Sequence, residues 1–297
     1  MKSKRTSVIG VVIPDLGNEF FTSIVSGVEG YLNDLGYSII LCDYNENYEL
    51  QIRYSKLLLS RNIAGLIIAP SGKCKPFISL YEELGIPVVF IDSFPFDIPD
   101  CNCVMIDNAS AAYTLCNHML DMYGVNLLLL STSEGSKSSK SHHSTSRIRL
   151  DAAKQAFADR NLSLQENWIQ ISEMSTFEGG YQVICDFLSG GNLPKGILAT
   201  SNNIAYGAIA AIQDRGLTVP HDIGVACFDA LDTTRLVRPR ITSITQPTIQ
   251  IGMLAAQLAY NNLKAKRNFR IPNQKIIVEP NFVIAESCGY YINHTTI

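Results

Sequence analysis

The sequence predicts an α/β protein made of two doubly wound parallel-sheet lobes joined by crossover strands. Three observations predict it. Short β-branched runs alternate with longer amphipathic stretches, as βαβ units require. The alternation starts afresh after residue 106. And 297 residues, 46% of them hydrophobic, exceed one ordinary domain and can fill two cores.

The elements follow in order. Ser7–Pro14 (SVIGVVIP) is almost continuously apolar, the mark of a parallel strand buried on both faces. Asn18 is placed to cap a helix in which Phe21, Ile24, Val25, Val28 and Leu32 recur at helical spacing, and Gly36 ends it. Strands at Ser38–Cys42, Gly65–Pro70 and Pro87–Asp92 then alternate with helices at Glu49–Ser60 and Phe77–Leu84. After a short strand at Val104–Ile106 the second series begins. Its helices are expected at Ala109–Met122, Arg147–Asn161, Gly179–Leu188 and Asn203–Arg215. Its strands are expected at Asn126–Ser131, Trp168–Ser172, Gly196–Thr200 and Ile223–Phe228. A helix at Thr248–Lys264 and strands at Lys275–Val278 and Phe282–Ile284 complete the chain. The expected lobes are residues 6–106 plus 247–275 and residues 107–246 plus 276–297. Ser131–Ser146 (STSEGSKSSKSHHSTS) cannot build a core, and reads either as a solvated loop or as a flap over a ligand site.

Composition narrows the function. A net charge of −3 and a pI of about 6.0 argue against a nucleic-acid surface on these residues. No apolar run approaches the roughly 20 residues that span a bilayer, and the N-terminus lacks the pattern of a signal peptide. The eight cysteines lie partly inside apolar strands (IILCDY, GVACFD), which suits reduced thiols in the cytoplasm. Cys101 and Cys103 form a C-x-C without a second pair, so no zinc site is expected. Phosphate-binding glycine loops, nucleophile elbows and zinc-hydrolase motifs are missing, and no enzymatic role and no cofactor are expected. The glycine pairs Gly179–Gly180 and Gly190–Gly191 read as helix boundaries.

Several segments together resemble the core of LacI-type (LacI/GalR) regulators, which shares its fold with type I periplasmic binding proteins. They are IGVVIPDLGNEFF (9–21), GLIIAPSG (65–72), GIPVVFID (85–92), VMIDN (104–108), STSRIRLDA (144–152), VPHDIGVACFDA (219–230) and RPRITSITQP (238–247). Their order and spacing span nearly the whole chain. The resemblance starts at Thr6–Ser7, where the family's hinge meets its core, so it implies a receptor core without the helix-turn-helix headpiece. It further implies a homodimer that binds a small effector, a carbohydrate or related metabolite, between two lobes and changes their relative angle. Operator DNA would be reached only through the headpiece, and no membrane partner is implied.

The resemblance carries site residues over one by one. Phe20 and Phe21 fall where relatives contact effectors, and their faces suit a sugar ring or planar base; packing at the helix start is the competing use. Asp92 and Asp229 end strands at the carboxyl edge, where open α/β sheets bind ligands. Arg149, with Thr145 one turn before it, matches the family's effector-binding arginine. Gln246 lies at the return crossing. Ser201–Asn202 stand where relatives have Asn-Asp, with Ser201 kept as an effector candidate. Ser175 replaces a stacking aromatic, with Phe177 nearby, and Gly124–Val125 replaces Gly-His. Arg149→Ala is expected to weaken effector binding by roughly 2–3 kcal/mol with the fold intact. A transport-system sugar receptor and a sugar- or nucleotide-handling α/β enzyme are the rival readings.

Overall fold

The computed structural model describes residues 6–133, 144–191, 193–230, 238–265 and 272–291. The chain forms two compact units, passing from one to the other at Ile106–Asp107, Gln246–Pro247 and Glu279–Pro280.

The first unit contains β1 (Val8–Ile13), α1 (Glu19–Asn33), β2 (Ser38–Asp43), α2 (Tyr48–Ser60), β3 (Gly65–Ile68), α3 (Lys75–Glu83), β4 (Val88–Ile91) and β5 (Cys103–Met105), and later α8 (Thr248–Lys264) and β11 (Lys275–Ile277). Its sheet has the order β11-β5-β4-β3-β1-β2, and every pairing is parallel. The apolar runs lie where their composition demands: β1 and β3 are in the sheet's interior and almost wholly buried, while β2 is an edge and alternates. Asn18 caps α1 as expected, its Oδ1 accepting the Phe20 N–H at 3.0 Å. Asp97, from a distant loop, caps α3 by accepting the N–H groups of Cys74 and Lys75 at 3.1 and 2.9 Å.

The second unit contains α4 (Asn108–Tyr123), β6 (Leu127–Thr132), α5 (Thr145–Asp159), β7 (Ile169–Ser172), α6 (Phe177–Ser189), β8 (Gly196–Ala199), α7 (Asn202–Asp214), β9 (Gly224–Phe228), β10 (Thr242–Thr245) and β12 (Asn281–Val283). The sheet order is β12-β10-β9-β8-β6-β7, parallel except for the antiparallel edge β10–β12. Asp107 caps α4, its carboxylate accepting the Ser110 N–H at 3.0 Å, which holds that carboxyl below its ordinary range.

Three expectations are corrected. The strand expected at Trp168–Ser172 opens with a 3-10 turn over Glu166–Trp168. Residues 276–279 belong to the first unit, because β11 pairs with β5 and holds that segment before the crossing at Pro280. Gly179 and Gly180 lie inside α6, not at its boundary, and Thr176 caps that helix. Close packing requires both to be small: a Cβ on Gly179 would meet Ser172 Oγ and the Met174 carbonyl. A Cβ on Gly180 would be driven into the backbone of Ile204, and one on Gly207 into the backbone of Phe177. The first unit repeats the device at its α1–α8 crossing, where Gly27 faces the carbonyl of Ile249 and Gly252 that of Ile24. Of the serine-rich segment, residues 134–143 lie outside the described residues, so the choice between loop and flap does too.

Candidate functional site

The polar cluster of the second unit forms at the carboxyl ends of β8, β9 and β10. Arg149 projects from the second turn of α5 and is only 4% exposed. Its Nε donates to Asn108 Oδ1 and its Nη1 to the Thr200 carbonyl, each at 2.8 Å. The guanidinium lies over the Phe228 ring, 3.9 Å from the centroid, and 3.6 Å from the Asp229 carboxylate. Asp229 follows β9 in the left-handed region, at φ 57°. Both its carboxylate oxygens accept from Gln246 Nε2, at 3.1 Å. Burial raises the Asp229 carboxyl above its ordinary range, against the opposing pull of Arg149 and Gln246.

Two atoms in this cluster are unusual. Ser201 holds the N-cap position of α7, yet its hydroxyl caps nothing. Its Oγ is buried without a hydrogen-bond partner among the described residues, and so is Oε1 of Gln246, a residue 8% exposed. Buried polar atoms are almost always partnered, which makes these two exceptions among the described residues. Among the described residues, the hydrogen bonds of Arg149 use Nε and Nη1 and leave Nη2.

Arg149, Asp229 and Gln246 are therefore joined by direct contacts, with Ser201 next in sequence to the Thr200 carbonyl that Arg149 grips. Thr145 is the first residue of α5, half-buried and one turn before Arg149. The sequence reading missed Asn108, whose side chain fixes the arginine, and the Thr200 carbonyl. A buried Asn at the end of VMIDN was the available signal for the first; a main-chain acceptor has none. The expectation that Arg149→Ala leaves the fold intact is corrected. This side chain braces α4, β8 and β9, and its loss strands a buried carboxylate.

In the first unit, Phe20 is 8% exposed and meets the half-buried Phe21 edge-on, with centroids 4.9 Å apart. Asp92 follows β4 at φ 68°, its N–H bonded to the Val104 carbonyl at 3.2 Å. It is the counterpart of Asp229, whose N–H bonds the Ile244 carbonyl at 2.8 Å. The two aspartates occupy the same place in two sheets of the same order.

Among known families, residues 6–283 match the one described as periplasmic binding proteins and the sugar-binding domain of the LacI family. The chain belongs to this family. Of its LacI-type relatives, the HTH-type transcriptional regulator RegA of Clostridium saccharobutylicum is 26% identical over 286 residues, 96% of this chain and 80% of that protein. Catabolite control protein A of Priestia megaterium is 26% identical, covering 87% of this chain and 75% of that protein. A solved LacI family transcriptional regulator from Enterococcus faecium, with bound ribose, has a TM-score of 0.80 at 22% identity, covering 94% and 98% of the two chains. No helix among the described residues is long and apolar enough to cross a membrane.

Three positions of this LacI-type core that stood out in the sequence have local contacts or conformations in the fold. The Ser175 carbonyl accepts from Asn203 Nδ2 at 3.2 Å, tying the start of α6 to α7. Phe177 is 44% exposed and stacks on Tyr181, with centroids 6.3 Å apart. Gly124 ends α4 at φ 56°.

Proposed function

We propose that this chain is the effector-sensing core of a cytoplasmic LacI-type transcription regulator, working as a homodimer and catalysing no reaction. Its effector is a neutral, hydroxyl-rich small molecule of the carbohydrate kind. The observation that carries the reading is the second-unit cluster, in which Ser201 Oγ and Gln246 Oε1, without partners among the described residues, accompany the Arg149–Asp229 pair. An acceptor, a hydroxyl, a carboxylate edge and a remaining guanidinium donor together match vicinal hydroxyl groups. Asp229 already offsets the charge of Arg149, so a phosphorylated or carboxylate ligand would gain less here than at a free arginine. Phe20, Phe21, Asp92 and Thr145 are proposed as further effector contacts. Operator contact is assigned to a headpiece outside these 297 residues, as suits a net charge of −3.

The test is a thermal-shift and calorimetric screen of neutral sugars, sugar phosphates and nucleosides. A neutral sugar should raise the unfolding temperature through preferential binding to the folded state. Gln246→Leu, which keeps bulk and removes the amide, should weaken the best hit about ten- to a hundredfold. Equal binding by the parent and this variant would place the effector elsewhere.

A further inference from the structure

The charged pair of the second unit is held by two carboxamides. Gln246, at the crossing Gln246–Pro247, donates from Nε2 to both carboxylate oxygens of Asp229 at 3.1 Å. Asn108 is the second residue after the crossing Ile106–Asp107, and its Oδ1 accepts the Nε–H of Arg149 at 2.8 Å. Asn108 is also the first residue of α4 and only 4% exposed. The helix does not need that side chain. Asp107 already caps α4, accepting the Ser110 N–H at 3.0 Å and the Ser110 hydroxyl at 2.7 Å. Among the described residues the Asn108 side chain hydrogen-bonds to Arg149 alone. A buried carboxamide is costly unless it is bonded, so the arginine accounts for an asparagine here. Three contacts then define the guanidinium. The Phe228 ring, 3.9 Å from it, sets its plane. The Thr200 carbonyl, 2.8 Å from Nη1, is a pivot. A planar group on one pivot still turns about it, and the bond from Nε to Asn108 stops that turn. Asp229, 3.6 Å from Nη1, lies beyond hydrogen-bond length and attracts without orienting. The direction of Nη2 therefore follows from Asn108.

We propose that Asn108 is a positioning residue of the effector site, fixing the in-plane angle of Arg149 so that Nη2 donates to an effector hydroxyl. The proposal rests on the effector reading above and adds to it the group that aims the donor. Hydrogen bonds weaken steeply as the donor swings out of line. An arginine free to turn on Thr200 would spread its donor over many directions and would have to be ordered at each binding event. The working atom of Asn108 is an acceptor, so an aspartate of the same shape serves equally, and an acidic residue suits the first turn of a helix. Alanine leaves the Nε–H without an acceptor while Asp107 still caps α4.

The experiment has two readouts on the full chain. Calorimetry measures the affinity for whichever of D-ribose, D-glucose and D-galactose the parent binds most tightly. NMR of the isotope-labelled chain without sugar follows the Arg149 Nε–H signal, assigned by its loss in Arg149→Lys. Asn108→Ala should weaken the sugar about tenfold and broaden the Nε–H signal through exchange with solvent. Asn108→Asp should restore both, a rescue that a merely structural role would not predict. Sugar binding unchanged in Asn108→Ala, or as weak in Asn108→Asp as in Asn108→Ala, would overturn the proposal and leave the effector reading standing. If the parent binds none of the sugars while its Nε–H signal responds as expected, the sugar reading fails and the positioning of Arg149 stands. Should Asn108→Ala not fold, Asn108→Ser, too short to reach the guanidinium, takes its place.

Discussion

At the scale of single residues, Arg149 and Asp229 show how a binding group can also be a brace. The pair is nearly buried, at 4% and 11% side-chain exposure. Removing one partner leaves the other charged and desolvated. Arg149→Ala should therefore destabilise the chain by about 3–5 kcal/mol, read as a fall in unfolding midpoint. Adding Asp229→Asn to that variant should recover part of the loss, because the orphan charge is gone. Asp229 also carries a pH signature. Its folded carboxyl is raised, so the folded chain holds this proton more tightly than the unfolded one. Its contribution is most favourable below the ordinary carboxylate range and is lost as pH climbs through the raised value. Urea titrations across that window should show the slope flatten in Asp229→Asn. Much of this cluster was legible. Strand-end aspartates, the STSRIRL segment and the residue before the crossing all carry signatures in residue type and place. Asn108 was harder, since its role depends on α4 starting beside α5, a tertiary fact that no local pattern encodes.

At the scale of elements, the helix crossings make the sharper test. Gly180 lies against the Ile204 backbone, whereas Gly30, on the exposed side of α1, has nothing within 4 Å of its would-be Cβ. Gly180→Ala should cost about 1–3 kcal/mol by forcing α6 from α7. Gly30→Ala should stabilise by about 0.5–1 kcal/mol, since it only restricts the unfolded chain. Chemical denaturation of the two variants should give shifts of opposite sign. Asp107→Ala should remove the cap of α4 at about 1 kcal/mol, and Asp107→Asn should retain most of it. Hydrophobic periodicity located these helices to within a few residues. It could not separate a glycine that ends a helix from one that admits a neighbour, because both interrupt the pattern alike.

At the scale of the whole molecule, the sheet orders and the charge make the prediction. Both sheets are continuous and helix-covered, and the chain carries a net charge of −3. The 297-residue chain alone should show no sequence-specific operator binding at physiological salt by fluorescence anisotropy. Tight binding that weakens steeply with salt would contradict the assignment of DNA contact to another segment. Strand–helix alternation sufficed to predict two parallel sheets, because buried parallel strands are almost uninterruptedly apolar. The three-residue strands β11 and β12 fix where the chain finally crosses, and their brevity blurs that boundary in sequence.

The late arrival of α8 and β11 bears on how the polypeptide is made. The first unit begins at the N-terminus, yet α1 closes only against α8, and β5 gains its outer neighbour only from β11. A ribosome must therefore release almost the entire chain before the earliest-made sheet is sealed. Once residue 246 has emerged, the second unit lacks only the segment from Pro280 onward, which holds β12 and the buried turn at Glu286–Cys288. Synthesis order and completion order are thus reversed. In stalled nascent chains from which residue 246 has left the ribosome and residues 248–264 have not, the middle of the polypeptide should resist protease before its beginning does. During that interval the apolar face of α1 is an open docking place for a chaperone.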